Sequence, residues 1–118
     1  MTETKIGSTD QQLVTRVQQG DKRAFDLLVL KYQYRVHAIV GRFIRDSHEV
    51  EDITQEAFLK AYRALPRFRG DSQFYTWLFR IAVNTAKNYL VARSRRPPSS
   101  DVNLDDAEFY AGSEQLKD

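Results

Sequence analysis

Apolar residues recur every three or four positions along four stretches of the chain, a spacing typical of helices that bury one face. Before the first stretch, Thr9–Gln12 predicts a capping box, and Gly20 is the expected C-terminal stop. Asp21 is the expected N-cap of a second helix that extends to about Arg45. The apolar stripes of these two helices comprise Leu13, Val14 and Val17, then Phe25, Leu28, Val29, Tyr32, Val36, Ile39, Val40 and Phe43.

A third helix is expected to begin at Asp46 or Ser47, with Glu49 in its first turn. Pro66 is expected to end this helix, because proline lacks the amide hydrogen that a helix interior needs. The helical spacing of apolar residues continues through Val50, Ile53, Ala57, Ala61 and Leu65.

Turn chemistry in Arg67–Ser72 precedes a fourth helix, for which Asp71 or Ser72 is the expected N-cap and Pro97-Pro98 the expected stop. Its inward residues are Phe74, Trp77, Leu78, Ile81, Ala82, Thr85, Ala86 and Tyr89. No alternating strand pattern of useful length and no internal repeat is present. The expected fold is therefore all-α, a compact bundle of about four helices.

The composition excludes several functional classes. With 118 residues, the chain suits one domain, or one domain plus a tail. It has no cysteine, no apolar run near the roughly 20 residues that span a membrane, and no signal-peptide layout, so we expect a cytoplasmic protein without membrane insertion. Its two histidines, His37 and His48, lie on different predicted elements, and no catalytic motif can be assembled. We expect no enzyme activity, metal or cofactor.

Charge is segregated along the chain more strongly than its net value of +2 suggests. Five acids and no Lys or Arg lie between Asp46 and Glu56, whereas Lys60–Arg96 carries nine bases and one acid, a net charge of +8. From Asp101 onward, six acids accompany a single lysine, a net charge of −5. Such blocks report on partners more than on fold, and the basic block predicts a polyanionic partner.

One face of the fourth predicted helix is polar and basic. It carries Thr76, Arg80, Asn84, Lys87 and Val91 at spacings of three or four residues, opposite the apolar stripe. Arginine and lysine pair with phosphates, while asparagine can make two directed hydrogen bonds to a base edge. This face can therefore hold and read a nucleic-acid strand, although an ordinary solvated helix face has the same pattern.

The turn before this helix mixes aromatic rings and guanidinium groups around Gly70. Phe68 and Tyr75 can stack on an unpaired base, while Arg67 and Arg69 can meet its phosphates. Stacking contributes about 1–3 kcal/mol per base, similar to the few kcal/mol needed to extract a base from a duplex. Aromatic residues at helical spacing are usually core residues, and that placement is expected for Phe74 and Trp77.

The third predicted helix carries Asp52, Gln55, Glu56 and Leu59 on one face, with an apolar residue beside acidic and amide groups. Like charges four residues apart cost a few tenths of a kcal/mol, so this face is not explained by helix stability. It suits a basic protein partner. The alternative is that acids such as Glu49 and Asp52 simply interact with the positive helix N-terminus.

Three motifs in order resemble region 2 of the extracytoplasmic-function sigma factors of bacterial RNA polymerase, of the sigma-E envelope-stress type. The resemblance covers roughly residues 12–101. It rests on Asp-Ile-Thr-Gln-Glu-Ala-Phe-Leu-Lys-Ala-Tyr-Arg-Ala-Leu at 52–65, Phe-Arg-Gly-Asp at 68–71, Phe-Tyr-Thr-Trp-Leu-Phe-Arg-Ile-Ala-Val-Asn-Thr-Ala-Lys-Asn-Tyr-Leu at 74–90 and Arg-Arg-Pro-Pro at 95–98. In that family, region 2 is a helical domain that binds the β′ clamp helices of the polymerase core. It recognises and opens the promoter −10 element on the non-template strand.

The resemblance assigns roles to the surfaces described above. The polymerase-binding residues it implies are Asp52, Gln55, Glu56 and Leu59. The DNA-binding residues it implies are Phe68, Arg69, Gly70, Asp71, Ser72, Tyr75, Thr76, Trp77, Phe79, Arg80, Asn84, Lys87 and Asn88. Residues 68–75 correspond to a loop that captures an extruded base, and the later residues correspond to a recognition helix.

Two positions depart from the family pattern. Close relatives often have tyrosine at Phe79, so a hydrogen bond from that phenol to DNA is absent here. Housekeeping sigma factors have two tryptophans at Trp77-Leu78, so opening is expected to depend more on base capture than on a paired aromatic wedge.

The expected organisation is a flexible N-terminus at 1–8, the region 2 domain at 9–96 and an acidic linker at 97–118 toward an absent −35-binding domain. In the family the linker follows the polymerase cleft, where acids mimicking nucleic acid would be Asp101, Asp105, Asp106 and Glu108. An anti-sigma factor is an expected regulator. Two alternatives remain: a helix-turn-helix repressor of double-stranded DNA, which needs two short helices joined by a short turn, and a pure protein adaptor, which leaves the basic block unexplained.

Overall fold

The computed structural model of the chain describes residues 9–95. They form four α-helices: α1 Asp10–Gln18, α2 Lys22–Gly41, α3 Ser47–Ala64 and α4 Phe74–Ser94. A single turn of 3-10 helix, Leu65–Arg67, follows α3, and no strand occurs within residues 9–95. The prediction of an all-α bundle of four helices is confirmed. The predicted N-terminal segment, the Pro97-Pro98 stop and the acidic linker lie outside the described residues.

Local sequence signals determine both ends of α1. The Thr9 hydroxyl accepts a hydrogen bond from the Gln12 amide at 3.1 Å, and the Gln12 side chain accepts one from the Thr9 amide at 2.9 Å. This is the predicted capping box. At the other end, Gly20 has a φ of +103°, and its amide donates to the Val17 carbonyl at 2.9 Å. The positive φ suits glycine and lets the chain turn sharply into α2.

The predicted N-caps of α2 and α3 are also confirmed. The Asp21 carboxylate accepts from the Arg23 amide at 3.1 Å and from the Arg16 guanidinium at 2.8 Å. The hydrogen bond from Arg16 lowers the pKa of Asp21. Asp46 accepts from the amides of His48 and Glu49 at the start of α3. These contacts satisfy amide groups that have no partner inside a helix.

The apolar stripes of the four helices meet in a single core. Five alanines, one on α2 and two each on α3 and α4, are completely buried, so the helix backbones can approach closely: Ala24, Ala57, Ala61, Ala82 and Ala86. Larger side chains such as Leu28, Ile53 and Leu78 fill the remaining space. An ion pair between Glu49 and Arg93, 3.5 Å long, also joins α3 to α4. The core thus holds α4 firmly against α2 and α3.

The end of α2 differs from the sequence prediction. The helix ends at Gly41 and not near Arg45, because the amides of Arg42 and Phe43 donate to carbonyls three residues earlier. This tighter turn buries Ile44 and leaves Phe43 only half-buried. The helical spacing of apolar residues, which was predicted to continue to about Arg45, therefore ends four residues earlier, at Gly41.

Candidate nucleic-acid interface

The outer face of α4 carries the predicted polar residues. Their exposure follows from the burial of the opposite side of the helix, where Leu78 and Ala82 enter the core. Three of them are exposed and two are half-buried: Arg80, Asn84 and Asn88, then Thr76 and Lys87. The Lys87 ammonium lies 5.9 Å from the centre of the Phe43 ring, which follows the end of α2 and supports the long lysine side chain. The structure therefore brings these groups together on one accessible face.

The loop from Phe68 to Gln73 connects the 3-10 turn to α4 and lies next to this face. Its tip exposes Arg69, Gly70 and Asp71, and Gly70 has a φ of +81°, which disfavours other residue types. The predicted N-cap at Asp71 or Ser72 is wrong. Gln73 occupies the N-cap position in an extended conformation, and no side chain caps α4.

Aromatic rings support this loop from below. The Phe68 ring lies 4.8 Å from Trp77 and 6.2 Å from Phe74, measured between ring centres. Phe74 is buried as predicted, whereas Phe68 and Trp77 are half-buried in packing against the core. Phe68 therefore anchors the loop in this structure, and its ring does not stand free in solvent.

Tyr75 is the accessible ring of the site. It is 41% exposed, and its ring centre lies 6.0 Å from that of Phe79. Phe79 is half-buried and also contacts the Tyr32 ring of α2 edge-on at 6.0 Å. Tyr75 and Phe79 thus form a pair of adjacent rings on α4 beside the loop, and Tyr75 is the more exposed of the two.

A groove of about 580 Å³ separates the loop from α1. This volume lies within the roughly 300–1,000 Å³ that is typical of small-ligand sites, and it can hold a nucleobase. The loop and the first residue of α4 form one wall with Phe68–Phe74, and α1 forms the other, mainly with polar and acidic side chains. The residues from α1 are Asp10, Gln11, Val14, Thr15 and Gln18.

Sequence reasoning did not place α1 in the site. Its periodicity indicates which residues are buried but not which distant segment its polar side faces. Asp10 is held in the groove by the Tyr32 hydroxyl and by the Lys31 ammonium, the latter at 2.7 Å. Burial, together with the hydrogen bond to Asp10, raises the pKa of Tyr32, so this phenol remains a proton donor. The acidic group in the groove is consequently fixed in position.

A second accessible surface lies on α3. Its four predicted residues, Asp52, Gln55, Glu56 and Leu59, are all exposed on the side away from the core. Leu59 is 53% exposed, which is unusual for a large apolar residue. The Glu56 carboxylate lies 3.5 Å from the Lys60 ammonium. These four residues form an acidic, partly apolar surface, the α3 surface.

The α3 surface continues across a groove onto α2. The groove has a volume of about 420 Å³, and Tyr34, Thr54 and Gln55 are among the residues that line it. Tyr34 is 79% exposed, and the buried Thr54 hydroxyl has no hydrogen-bond partner in the described structure. Leu27 and Leu30 are further exposed apolar residues on α2. The periodicity of the sequence did not indicate their exposure.

The described residues contain no arrangement suited to metal binding. His37 and His48 are both exposed, and no group of three or more His, Asp or Glu side chains in residues 9–95 could hold a metal ion. None of the helices in this range is long and apolar enough to cross a membrane.

Known proteins are similar to this chain in sequence. The chain is 68% identical over 109 residues to the RNA polymerase sigma-H factor of Pseudomonas aeruginosa, covering 92% of the chain and 56% of that protein. It is 62% identical over 110 residues to the ECF RNA polymerase sigma-E factor of Escherichia coli K12, covering 93% of the chain and 57% of that protein. The chain thus spans just over half the length of these relatives.

A solved structure provides the same comparison in three dimensions. It is an NMR structure of an engineered region 2 of sigmaE in complex with GTAAAA, which is 56% identical to this chain. The two folds agree with a TM-score of 0.74 over 84% of this chain and 100% of the other. In addition, residues 28–96, more than half of the chain, match the family model of sigma-70 region 2. The chain therefore belongs to the sigma-70 region 2 family.

Proposed function

We propose that this chain is the part of an extracytoplasmic-function sigma factor that binds the RNA polymerase core and recognises the promoter −10 element. It opens the element by holding bases of the non-template strand, and so directs initiation at a stress regulon. The observation that carries the proposal is the groove between α1 and the Phe68–Gln73 loop, which lies beside a basic, amide-bearing helix face.

Strand opening in this proposal needs no chemical energy source. A base leaving the duplex costs a few kcal/mol, and stacking on a ring returns about 1–3 kcal/mol per base. Tyr75 is the exposed ring available for stacking, and Arg69 at the loop tip can pair with a phosphate. Hydrogen bonds within the groove supply the remaining free energy and the base preference.

The α3 surface is the proposed contact with the β′ clamp helices of the polymerase. Its acids would meet basic groups, and Leu59 would be buried against the partner. An anti-sigma factor would regulate the protein by covering these same surfaces. Family membership and the two distinct surfaces favour this function over a helix-turn-helix repressor or a pure protein adaptor.

The direct test is a binding titration with a labelled single-stranded oligonucleotide that contains GTAAAA. A scrambled strand of the same length is the control. We expect tighter binding to GTAAAA, and tighter still when the polymerase core is present. Equal affinity for both strands under both conditions would contradict the proposal.

Lys87→Ala is expected to weaken binding of all sequences by the same factor, because an ammonium–phosphate contact carries no base information. The slope of log K against log salt concentration should fall by about 0.7 for one lost contact to a single strand. Titrations at several salt concentrations measure this slope. Lys60→Ala on α3 is the control and should leave it unchanged.

Asn84→Ala is expected to reduce discrimination at one position of the −10 element. The Asn84 side chain is exposed on α4 and can make two hydrogen bonds to a base edge, worth about 1–3 kcal/mol of discrimination. Affinities for a set of single-base variants of GTAAAA measure this effect. An unchanged ranking of the variants would remove Asn84 from base reading.

A further inference from the structure

One side chain connects the two walls of the groove. The Gln18 amide nitrogen donates hydrogen bonds to the Leu65 carbonyl at 2.9 Å and to the Phe68 carbonyl at 3.0 Å. These contacts span 47 and 50 residues of sequence, so they are tertiary contacts from the last residue of α1. The two acceptors lie at the start of the 3-10 turn and at the first residue of the loop.

Few hydrogen bonds within the loop stabilise its conformation. Gln73 provides no side-chain cap for α4, and the Ser72 hydroxyl donates only to the neighbouring Gln73 carbonyl at 3.3 Å. Gly70 has a positive φ and no neighbouring atom within 4 Å of the position a Cβ would take. Beyond Phe68, the loop therefore depends on its two ends for its shape.

We propose that Gln18 is a positioning residue that holds the Phe68–Gln73 loop in the conformation that receives a nucleotide. This inference rests on the proposed function and adds α1 to the site, although α1 precedes residues 28–96, where the family match lies. A glutamine amide has two N–H donors, so a single side chain can serve both carbonyls. A loop that is ordered before binding loses less conformational entropy when it binds the strand.

Three variants separate this role from a general effect on α1. Gln18→Met keeps the length of the side chain but removes both donors, and Gln18→Glu places a carboxylate against two carbonyl oxygens. Gln19→Met is the matched control, because Gln19 is an exposed glutamine one residue later that makes no side-chain hydrogen bond in the described structure. Both positions are exposed, so we expect the fold to persist in all three variants.

Hydrogen exchange of the loop amides tests the inference without DNA. We expect faster exchange at the Phe68 amide, which donates to the Leu65 carbonyl at 3.0 Å, in Gln18→Met, still faster exchange in Gln18→Glu, and no change in Gln19→Met. Unchanged exchange in both Gln18 variants would overturn the inference, whether or not the protein binds the strand. This measurement therefore separates failure of the inference from failure of the proposed function.

Oligonucleotide binding then tests the consequence for the site. Gln18→Met is expected to lose roughly tenfold in affinity for the GTAAAA strand, which corresponds to about 1.4 kcal/mol. Its affinity for the polymerase core should remain unchanged, since core binding is proposed for the α3 surface and not for the loop. If wild type and Gln18→Met bind GTAAAA equally, or if Gln19→Met shows the same loss, the inference is wrong.

Discussion

Glu56→Lys is expected to abolish binding of the polymerase core while leaving the helical fold intact. Glu56 is exposed at the centre of the α3 surface. Reversing its charge would place a positive charge against the basic groups proposed on the clamp helices. Like charges brought together at an interface cost several kcal/mol, and each 1.4 kcal/mol is tenfold in affinity. We therefore expect a loss of at least about 100-fold, measured by titration or pull-down with the core enzyme.

The helix itself should tolerate this reversal. Glu56 loses its exposed pair with Lys60, but the new lysine stands four residues after Asp52, a favourable arrangement. Both effects are a few tenths of a kcal/mol, so circular dichroism and thermal stability should be unchanged.

The double variant Glu56→Lys/Lys60→Glu is the control for Glu56→Lys. It restores an intrahelical pair and the net charge but not the acid at position 56, so polymerase binding should remain weak. Normal polymerase capture by a folded Glu56→Lys protein would show that the α3 surface is not the docking surface. Restored binding in the double variant would instead indicate that net charge, and not its position, governs docking.

The helices were predictable because their signals are local. Thr9, Asp21 and Asp46 each bond to amides within three residues, so the interaction that starts each helix is contained in a short segment of sequence. The buried stripes likewise follow from a period of 3.6 residues, which requires no knowledge of the partner helix. The exposed α3 surface was predictable for the same reason, as the complement of a buried stripe.

The site was only partly predictable because it depends on tertiary contacts. Asp71 and Ser72 are good N-cap residues, yet packing of Phe68 on Trp77 and the hydrogen bonds from Gln18 constrain the loop entrance. Gln73 then takes the cap position despite a side chain poorly suited to it. Residue types alone indicated a loop that could hold a base. The other wall of the groove comes from α1, about 50 residues earlier in the sequence, and residue types did not indicate this contact.

Leu78→Ala is expected to cause the largest loss of stability among these variants. Leu78 is 0% exposed and lies on α4 one turn after the loop, where it packs into the shared core. Removing a buried leucine side chain costs both its transfer free energy and the cavity left behind, about 2–5 kcal/mol. Urea unfolding should show a loss of about 3 kcal/mol with a similar m value, and the melting temperature should fall by about 10–25 °C.

Leu59→Ala is the matched control for Leu78→Ala, since it makes the same chemical change on a residue that is 53% exposed. Its stability should change by less than about 0.5 kcal/mol, because little apolar area is returned to water. Binding to the polymerase core should nevertheless weaken, since Leu59 is the apolar part of the α3 surface. Leu78→Ala, measured where it remains folded, should bind the core normally. If the two variants destabilised the protein equally, the division of leucines between the core and the docking surface would be wrong.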